Sequence, residues 1–121
     1  MNARLVLLHV VQSPPFLIND YYGIDPGSVI EIVAIGEKAA FKQLEALRQR
    51  WQKKELKVKS LQMSGAPVPS IITQAGELKA AYIVIGSHGH GAVFDLFVGS
   101  TTHGVLRRAR CPVLVVPTIR R

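Results

Sequence analysis

The chain has 121 residues, which is the size of one domain and excludes a multidomain enzyme. Hydrophobic residues make up 48% of it and charged residues 19%, so the composition favours a packed core over disorder. Lys and Arg number 15 against 8 for Asp and Glu, and the resulting net charge of +7 suits an anionic partner without selecting one.

The cysteine content and the hydropathy pattern indicate in which cellular compartment the protein is expected. The single cysteine, Cys111, excludes an internal disulfide framework and a cysteine-rich zinc module, and a lone thiol suits a reducing cytoplasm. No signal-peptide pattern follows Met1, and no apolar run approaches the ~20 residues of a membrane span. We therefore expect a cytoplasmic protein without a membrane partner.

Strand and helix patterns alternate along the chain. Helices are predicted from Ser28 to about Lys54, over Ser70–Ala80 and over Ser100–Arg108, and the first opens on the capping-box sequence that ends at Glu31. Strands are predicted at Arg4–Val11, Lys57–Met63, Tyr82–Gly86 and Val113–Val116. The second strand alternates and is expected at a sheet edge, whereas the other three are apolar throughout and are expected to be buried on both faces. This order predicts an α/β three-layer sandwich with a parallel sheet, forming a single domain over residues 1–121.

The sequence also makes predictions about two loops and about the buried face of the first helix. Gln12–Gly27 reads as a mobile loop, or alternatively as a lid over a ligand, because it contains three aromatic residues. Gly65–Pro69 reads as a turn. Apolar residues recur along the first helix at spacings of three or four and predict one buried stripe: Ile30, Val33, Ala34, Ala40, Phe41, Leu44, Leu47 and Trp51.

A glycine-rich segment is the strongest candidate for chemistry. Gly86 and Gly89 follow a predicted strand, and Gly99, Ser100 and Thr101 open a predicted helix. Glycines allow backbone amides to approach an anion closely, and a helix N-terminus attracts phosphate. Because residues 87–99 contain no Lys or Arg, a divalent cation shared with the phosphates is plausible. The spacing fits neither a P-loop nor a dinucleotide fingerprint, and a tight loop without a ligand explains it equally well.

The wider pattern resembles one family. The spacing Gly86-x2-Gly89-x9-Gly99-Ser100 is similar to the nucleotide-binding pattern of the universal stress proteins, and the stretch 105–117 resembles the family's closing signature. Residues 3–11 look like its second strand. The resemblance implies that the chain binds ATP, AMP or ADP, with Mg²⁺ or Mn²⁺ held through the phosphates. The residues implied in this binding are Val10, Ile85, Gly86, His88, Gly89, Gly99, Ser100 and Thr101.

The sequence departs from the family pattern at its start. Thr101 and Ala81 stand where the family often has valine and aspartate, which are mild changes. The family opens with a further strand, which ends in an aspartate-bearing turn, and with a helix; both are absent here. By resemblance that strand lies between those equivalent to Arg4–Val11 and Tyr82–Gly86. We therefore expect a truncated, mis-started or processed chain, or a fold completed by rearrangement or by a partner subunit.

The resemblance implies a regulatory nucleotide-binding protein rather than an enzyme. It would sense or store nucleotide in a stress response and would dimerise through the Val113–Val116 strand. The first alternative is a nucleotide-free interaction module of the same fold. The second is a slow ATPase, in which Asp95 or His88 would act on the nucleotide.

Other chemistry-bearing residues have simpler interpretations. His88 and His90 lack a third metal ligand, so no dedicated metal site is expected. His9 is expected to be a hydrogen-bonded core residue, His103 to face solvent and Cys111 to be structural. Nucleic-acid binding is not expected, because the basic groups lack an aromatic stacking platform and fall largely at helix ends. These groups are Arg48–Lys59, Arg107–Arg110 and Arg120–Arg121.

Overall fold

A computed structural model describes residues 3–12, 26–87 and 99–117. Its helices are α1, α2 and α3, and its strands are β1 to β4, in alternating order along the chain. The helices are α1 Pro26–Gln52, α2 Pro67–Glu77 and α3 Ser100–Arg108. The strands are β1 Arg4–Val11, β2 Lys57–Ser64, β3 Ile83–Gly86 and β4 Val113–Val116. The predicted α/β order is confirmed.

All strand pairing among the described residues is parallel. β1 pairs with β2, with Arg4 opposite Lys57, and β3 pairs with β4, with Ile83 opposite Val113. The four described strands thus form two sheets of two strands. The chain divides into two compact units, Met1–Gly65 and Ala66–Arg121, which hold one sheet each. The single-domain organisation stays a prediction.

Two helices begin earlier than the sequence predicts. α1 starts at Pro26, so the capping-box prediction at Ser28 is wrong, and α2 starts at Pro67, inside the segment predicted to be a turn. The first amides of a helix have no partner within it, so proline costs no hydrogen bond there, and its fixed φ suits the helix. α2 also ends earlier than predicted, at Glu77, and Lys79 follows it with a φ of 50°.

In the first unit, α1 packs on β1 and β2 through a short part of its length. Leu44 is buried, but most of the predicted stripe is not, and the exposed fraction of Ile30 reaches 70%. The stripe prediction is therefore wrong for five exposed residues, which are Ile30, Ala34, Phe41, Leu47 and Trp51. A helix of 27 residues extends beyond what two described strands can cover. No helix in the described part of the chain is both long and apolar enough to cross a bilayer.

A polar chain of contacts links the three elements of this unit. The Nδ1 atom of His9 on β1 lies 3.1 Å from Oε1 of Gln62 on β2. The Nε2 group of Gln62 donates to the backbone carbonyl of Glu37 on α1 over 2.8 Å. His9 is hydrogen-bonded, as predicted, and half-buried.

In the second unit, α2 and α3 pack closely where Gly104 of α3 meets Val68 of α2. Val105 of α3 is completely buried. The sheet, however, is covered on one face only, because Val84, Leu114 and Val116 have exposed fractions of 54%, 56% and 45%. The prediction that β3 and β4 are buried on both faces is wrong, since no described layer of this unit covers these alternate side chains.

Candidate functional site

A backbone hydrogen bond joins the carboxyl end of β3 to the start of α3, and a second one joins it to β4. The N–H of Gly99 donates to the C=O of Ser87 over 2.7 Å, and the N–H of Ser87 donates to the C=O of Val116 over 2.8 Å. Ser87 is itself buried, with an exposed fraction of 9%. The two ends of the glycine pattern are thus held side by side at one end of the β3–β4 sheet.

The first turn of α3 presents backbone donors without helical acceptors. The first bond within the helix runs from the N–H of His103 to the C=O of Gly99, at 2.9 Å. The N–H groups of Ser100, Thr101 and Thr102 precede it and have no acceptor in α3. Gly99, at the cap position, supplies no side chain, and the first turn carries no acidic residue. This arrangement favours an anion at the helix start.

Thr102 is a residue that sequence reasoning missed. Its Oγ1 donates to the backbone carbonyl of Gly86 over 2.6 Å, and its exposed fraction is 3%. A second hydroxyl directly after Thr101 was visible in the sequence, but nothing in the pattern indicated that it would turn towards the strand. The strand end and the helix start are therefore linked by a side-chain bond as well as a backbone bond.

The structure brings together four of the residues predicted to bind nucleotide. Gly86, Gly99, Ser100 and Thr101 all lie at the β3–α3 junction. Ser100 and Gly86 are exposed and the other two are half-buried. Ile85 precedes Gly86 on β3 and is half-buried. The predicted residues His88 and Gly89 lie outside the described residues.

Val10, the residue predicted to face the base, belongs to the first compact unit. The N–H of Gly65 donates to the C=O of Val11 over 3.0 Å, so the polar backbone groups of Val11 point towards β2. Because these groups alternate along a strand, the N–H and C=O of Val10 point to the opposite edge of β1. No described strand pairs with that edge. Val10 thus offers one backbone donor and one acceptor.

The remaining candidates are placed only in part. His103 is exposed, as predicted, and Cys111 is a half-buried free thiol. His88, His90, Asp95 and the segment 13–25, including the predicted lid, lie outside the described residues. Within the described ranges, no group of three His, Cys, Asp or Glu side chains could hold a metal ion.

The clearest electrostatic perturbation in the described part of the chain lies in the first unit. The hydroxyl of Ser60 on β2 donates to Oε1 of Glu45 on α1, and Nε of Arg48 lies 3.0 Å from Oε2 of the same carboxylate. The hydrogen bond from Ser60, then that from Arg48 and the positive charge of Arg48, lower the pKa of Glu45 below its ordinary value of 4.5. The hydrogen bond between Ser60 and Glu45 supports the packing of α1 on β2.

Comparison with known proteins decides the family. The model of the universal stress protein family matches residues 1–117, which is nearly the whole chain. The chain belongs to the universal stress protein family. A universal stress protein of Thermus aquaticus is 34% identical over 115 residues, covering 95% of this chain and 78% of the relative. Universal stress protein YxiE of Bacillus subtilis is 28% identical over 118 residues, covering 95% of this chain and 80% of the relative.

Solved structures agree with the universal stress protein fold. MJ0577, a protein of Methanocaldococcus jannaschii, superposes with a TM-score of 0.82 over 100% of this chain and 80% of its own, at 23% identity. A universal stress protein solved in complex with cAMP superposes with a TM-score of 0.58 over 98% of this chain and 76% of its own, also at 23% identity. The predicted resemblance and fold class are confirmed.

Proposed function

We propose that this universal stress protein binds an adenine nucleotide, ATP in the first place and AMP or ADP by the same contacts, and acts as a regulator in a stress response. The observation that carries the proposal is the β3–α3 junction, where the Gly99–Ser87 hydrogen bond sets the uncapped amides of α3 beside the end of a strand. A backbone site of this kind suits phosphate oxygens. The lone cysteine supports a cytoplasmic location.

The phosphate contacts follow from the chemistry of the junction. The amides of Ser100 and Thr101 and the Ser100 hydroxyl would donate to phosphate oxygens, together with backbone groups of Gly86 and Gly99. We assign Ile85, His88 and Gly89 to the same site from the family pattern. Since this segment supplies no Lys or Arg, Mg²⁺ or Mn²⁺ bound through the phosphates would balance their charge.

We assign Val10 to the base from the family pattern. Its backbone C=O and N–H would pair with the donor and the adjacent acceptor on the edge of adenine. A related protein of the same fold has been solved with cAMP, which supports an adenine nucleotide as the ligand class. We assign binding rather than turnover, because the described side chains at the junction are hydroxyls and no catalytic base is among them.

The test is calorimetric titration with ATP, with and without Mg²⁺, on the wild type and on Ser100→Asp. A carboxylate at the start of α3 suits the helix dipole, so this variant should fold at least as well as the wild type. It should nevertheless lose ATP affinity by about tenfold or more, because the new charge repels phosphate.

Ser100→Asn is the matched neutral control and should retain most of the affinity. Absence of binding by the wild type at millimolar ATP would contradict the proposal. A slow ATPase would reveal itself as phosphate release that Asp95→Ala or His88→Ala abolishes.

A nucleotide-free interaction module is the second candidate function. The exposed apolar side chains of Val84, Leu114 and Val116 favour it, because a contiguous apolar face often marks an interaction site. Leu114→Lys separates the two functions. If the protein acts through nucleotide, this variant should retain ATP affinity. If it is an interaction module, the wild type should bind no nucleotide, and Leu114→Lys should abolish the binding of a protein partner to the apolar face.

We also propose a homodimer formed by edge pairing of β4. The carbonyls of Pro112 and Val116 accept bonds from Ile83 and Ser87, so the alternate residues Val113 and Val115 direct their N–H groups to the other edge. Val115→Pro removes one of these outward donors without removing a bond to β3, and proline is tolerated at such edge positions. Light scattering should show a dimer for the wild type and a monomer for the variant. A wild-type monomer would contradict the proposal.

A further inference from the structure

We infer that Thr102 is the positioning residue of the phosphate site, an inference that rests on the proposed nucleotide binding. Thr102 lies in the first turn of α3, so no carbonyl of an earlier turn of the same helix is available to its hydroxyl. Thr102 instead donates to Gly86, 16 positions away on another element. Its hydroxyl therefore makes a tertiary link, and the Thr102 side chain that donates it has an exposed fraction of only 3%.

The strand ladder cannot replace this bond. The N–H groups of Ile83 and Ser87 donate to the carbonyls of Pro112, just before β4, and Val116, so Gly86, which lies between them at an alternate position, directs its carbonyl away from β4. Without a donor from α3, that carbonyl would be left at the edge of β3 with which no described strand pairs. An unpartnered carbonyl presents partial negative charge, which opposes a phosphate group close by.

The Thr102 hydroxyl also fixes the orientation of one peptide group. The Gly86–Ser87 peptide is bonded on both sides, because its N–H donates to Val116 over 2.8 Å and its C=O accepts from Thr102 over 2.6 Å. The next carbonyl, that of Ser87, accepts from Gly99. Both carbonyls at the strand end are thus engaged by the start of α3, which leaves amides and hydroxyls as the groups offered to an anion.

The inference is tested with Thr102→Val, which keeps the branched shape and removes the donor, and with Thr102→Ser, which restores it. We expect Thr102→Val to weaken ATP binding by about tenfold. Binding of adenosine, which has no phosphate, should change by less than about twofold, and Thr102→Ser should bind ATP nearly as the wild type does. Thr73→Val, the same change at an exposed position of α2, is the control for the substitution itself.

Amide hydrogen exchange without nucleotide supplies an independent measurement. In Thr102→Val, the amides of Gly99 and Ser87 should exchange faster relative to that of Leu78, whose bond to Gln74 at 2.9 Å closes α2. Unchanged relative exchange would overturn the positioning role, as would equal ATP affinity of Thr102→Val and the wild type. If the wild type binds no ATP, the proposed function fails by itself, and the exchange comparison alone decides the role of Thr102.

Discussion

The longest and the shortest of the described helices differ in how firmly they are packed. α1 has 27 residues, and among those described only Leu44 is buried. α3 has 9 residues, of which Thr102 and Val105 are buried. The short helix is fixed by packing against α2 and by hydrogen bonds to the end of β3, whereas the long one leaves apolar residues such as Ile30 and Ile35 exposed.

This contrast indicates which part of the backbone must be placed accurately. Burial in the second unit is concentrated at the β3–α3 junction, where Ser87, Thr102 and Val105 are the described residues with the least exposure. A site made of backbone amides depends on the placement of the backbone, so the helix that carries them must be fixed on several sides. The exposed surface of α1 contains no candidate site residue that would require its backbone to be placed as accurately.

The largest expected effect comes from emptying the space behind α3. Val105 is completely buried, so Val105→Ala removes two methyl groups and leaves a cavity, which should cost about 2–3 kcal/mol of unfolding free energy. The neighbouring Leu106 has an exposed fraction of 45%, and Leu106→Ala should cost clearly less. Urea denaturation of both variants checks this. Equal losses would show that α3 is not held as tightly as its burial indicates.

The next effect concerns the contact between α2 and α3. A Cβ at Gly104 would lie 2.7 Å from Cγ2 and 3.2 Å from Cγ1 of Val68, and the χ1 angle of a helical valine is stiff. Gly104→Ala should therefore destabilise by about 1–2 kcal/mol, although alanine is the better helix former. The matched change on α1 is Gly36→Ala, where nothing lies within 4 Å of the added Cβ.

Gly36→Ala should stabilise the protein by about 0.5–1 kcal/mol, because it removes backbone freedom from the unfolded chain without creating a clash. Thermal unfolding of the two variants should thus give shifts of opposite sign. Shifts of the same sign would contradict the difference between a closely packed α3 and an open α1.

The sequence predicted the elements better than their burial. Apolar runs and helical spacing located all four described strands and all three helices, and the bounds of β1, α3 and β4 match the prediction. The prediction of burial failed because an apolar run such as Tyr82–Gly86 shows only that a strand could be covered on both faces. It does not show that two layers are present to cover it. The exposure of Val84 and Ile30 depends on tertiary neighbours, which no local pattern encodes.

The candidate site was predictable as a pattern and not as a geometry. Glycine spacing placed Gly86, Gly99 and Ser100 at one strand end, and their junction in the structure agrees with that. The role of Thr102 could not be read from the sequence, because its partner is a carbonyl on another element and the direction of a hydroxyl depends on how the strand and helix meet. Backbone partners leave no signature in residue types.

The smallest effect expected here concerns the polar contact that holds α1 to β2. The bond from Ser60 and the ion pair with Arg48 lower the pKa of Glu45, so the folded state favours the carboxylate more than the unfolded state does. This stabilisation is fully present above the ordinary value of 4.5 and is lost as the pH falls through the lowered value.

Below pH 4.5 the wild type should therefore lose stability more steeply than Glu45→Gln, whose side chain does not titrate. Ser60→Ala and Arg48→Gln should each flatten the acid limb, since each removes a contact that lowers the pKa of Glu45. Urea midpoints measured across the acid range check both slopes, and superimposable curves for wild type and Glu45→Gln would show that this carboxylate does not link α1 to the sheet.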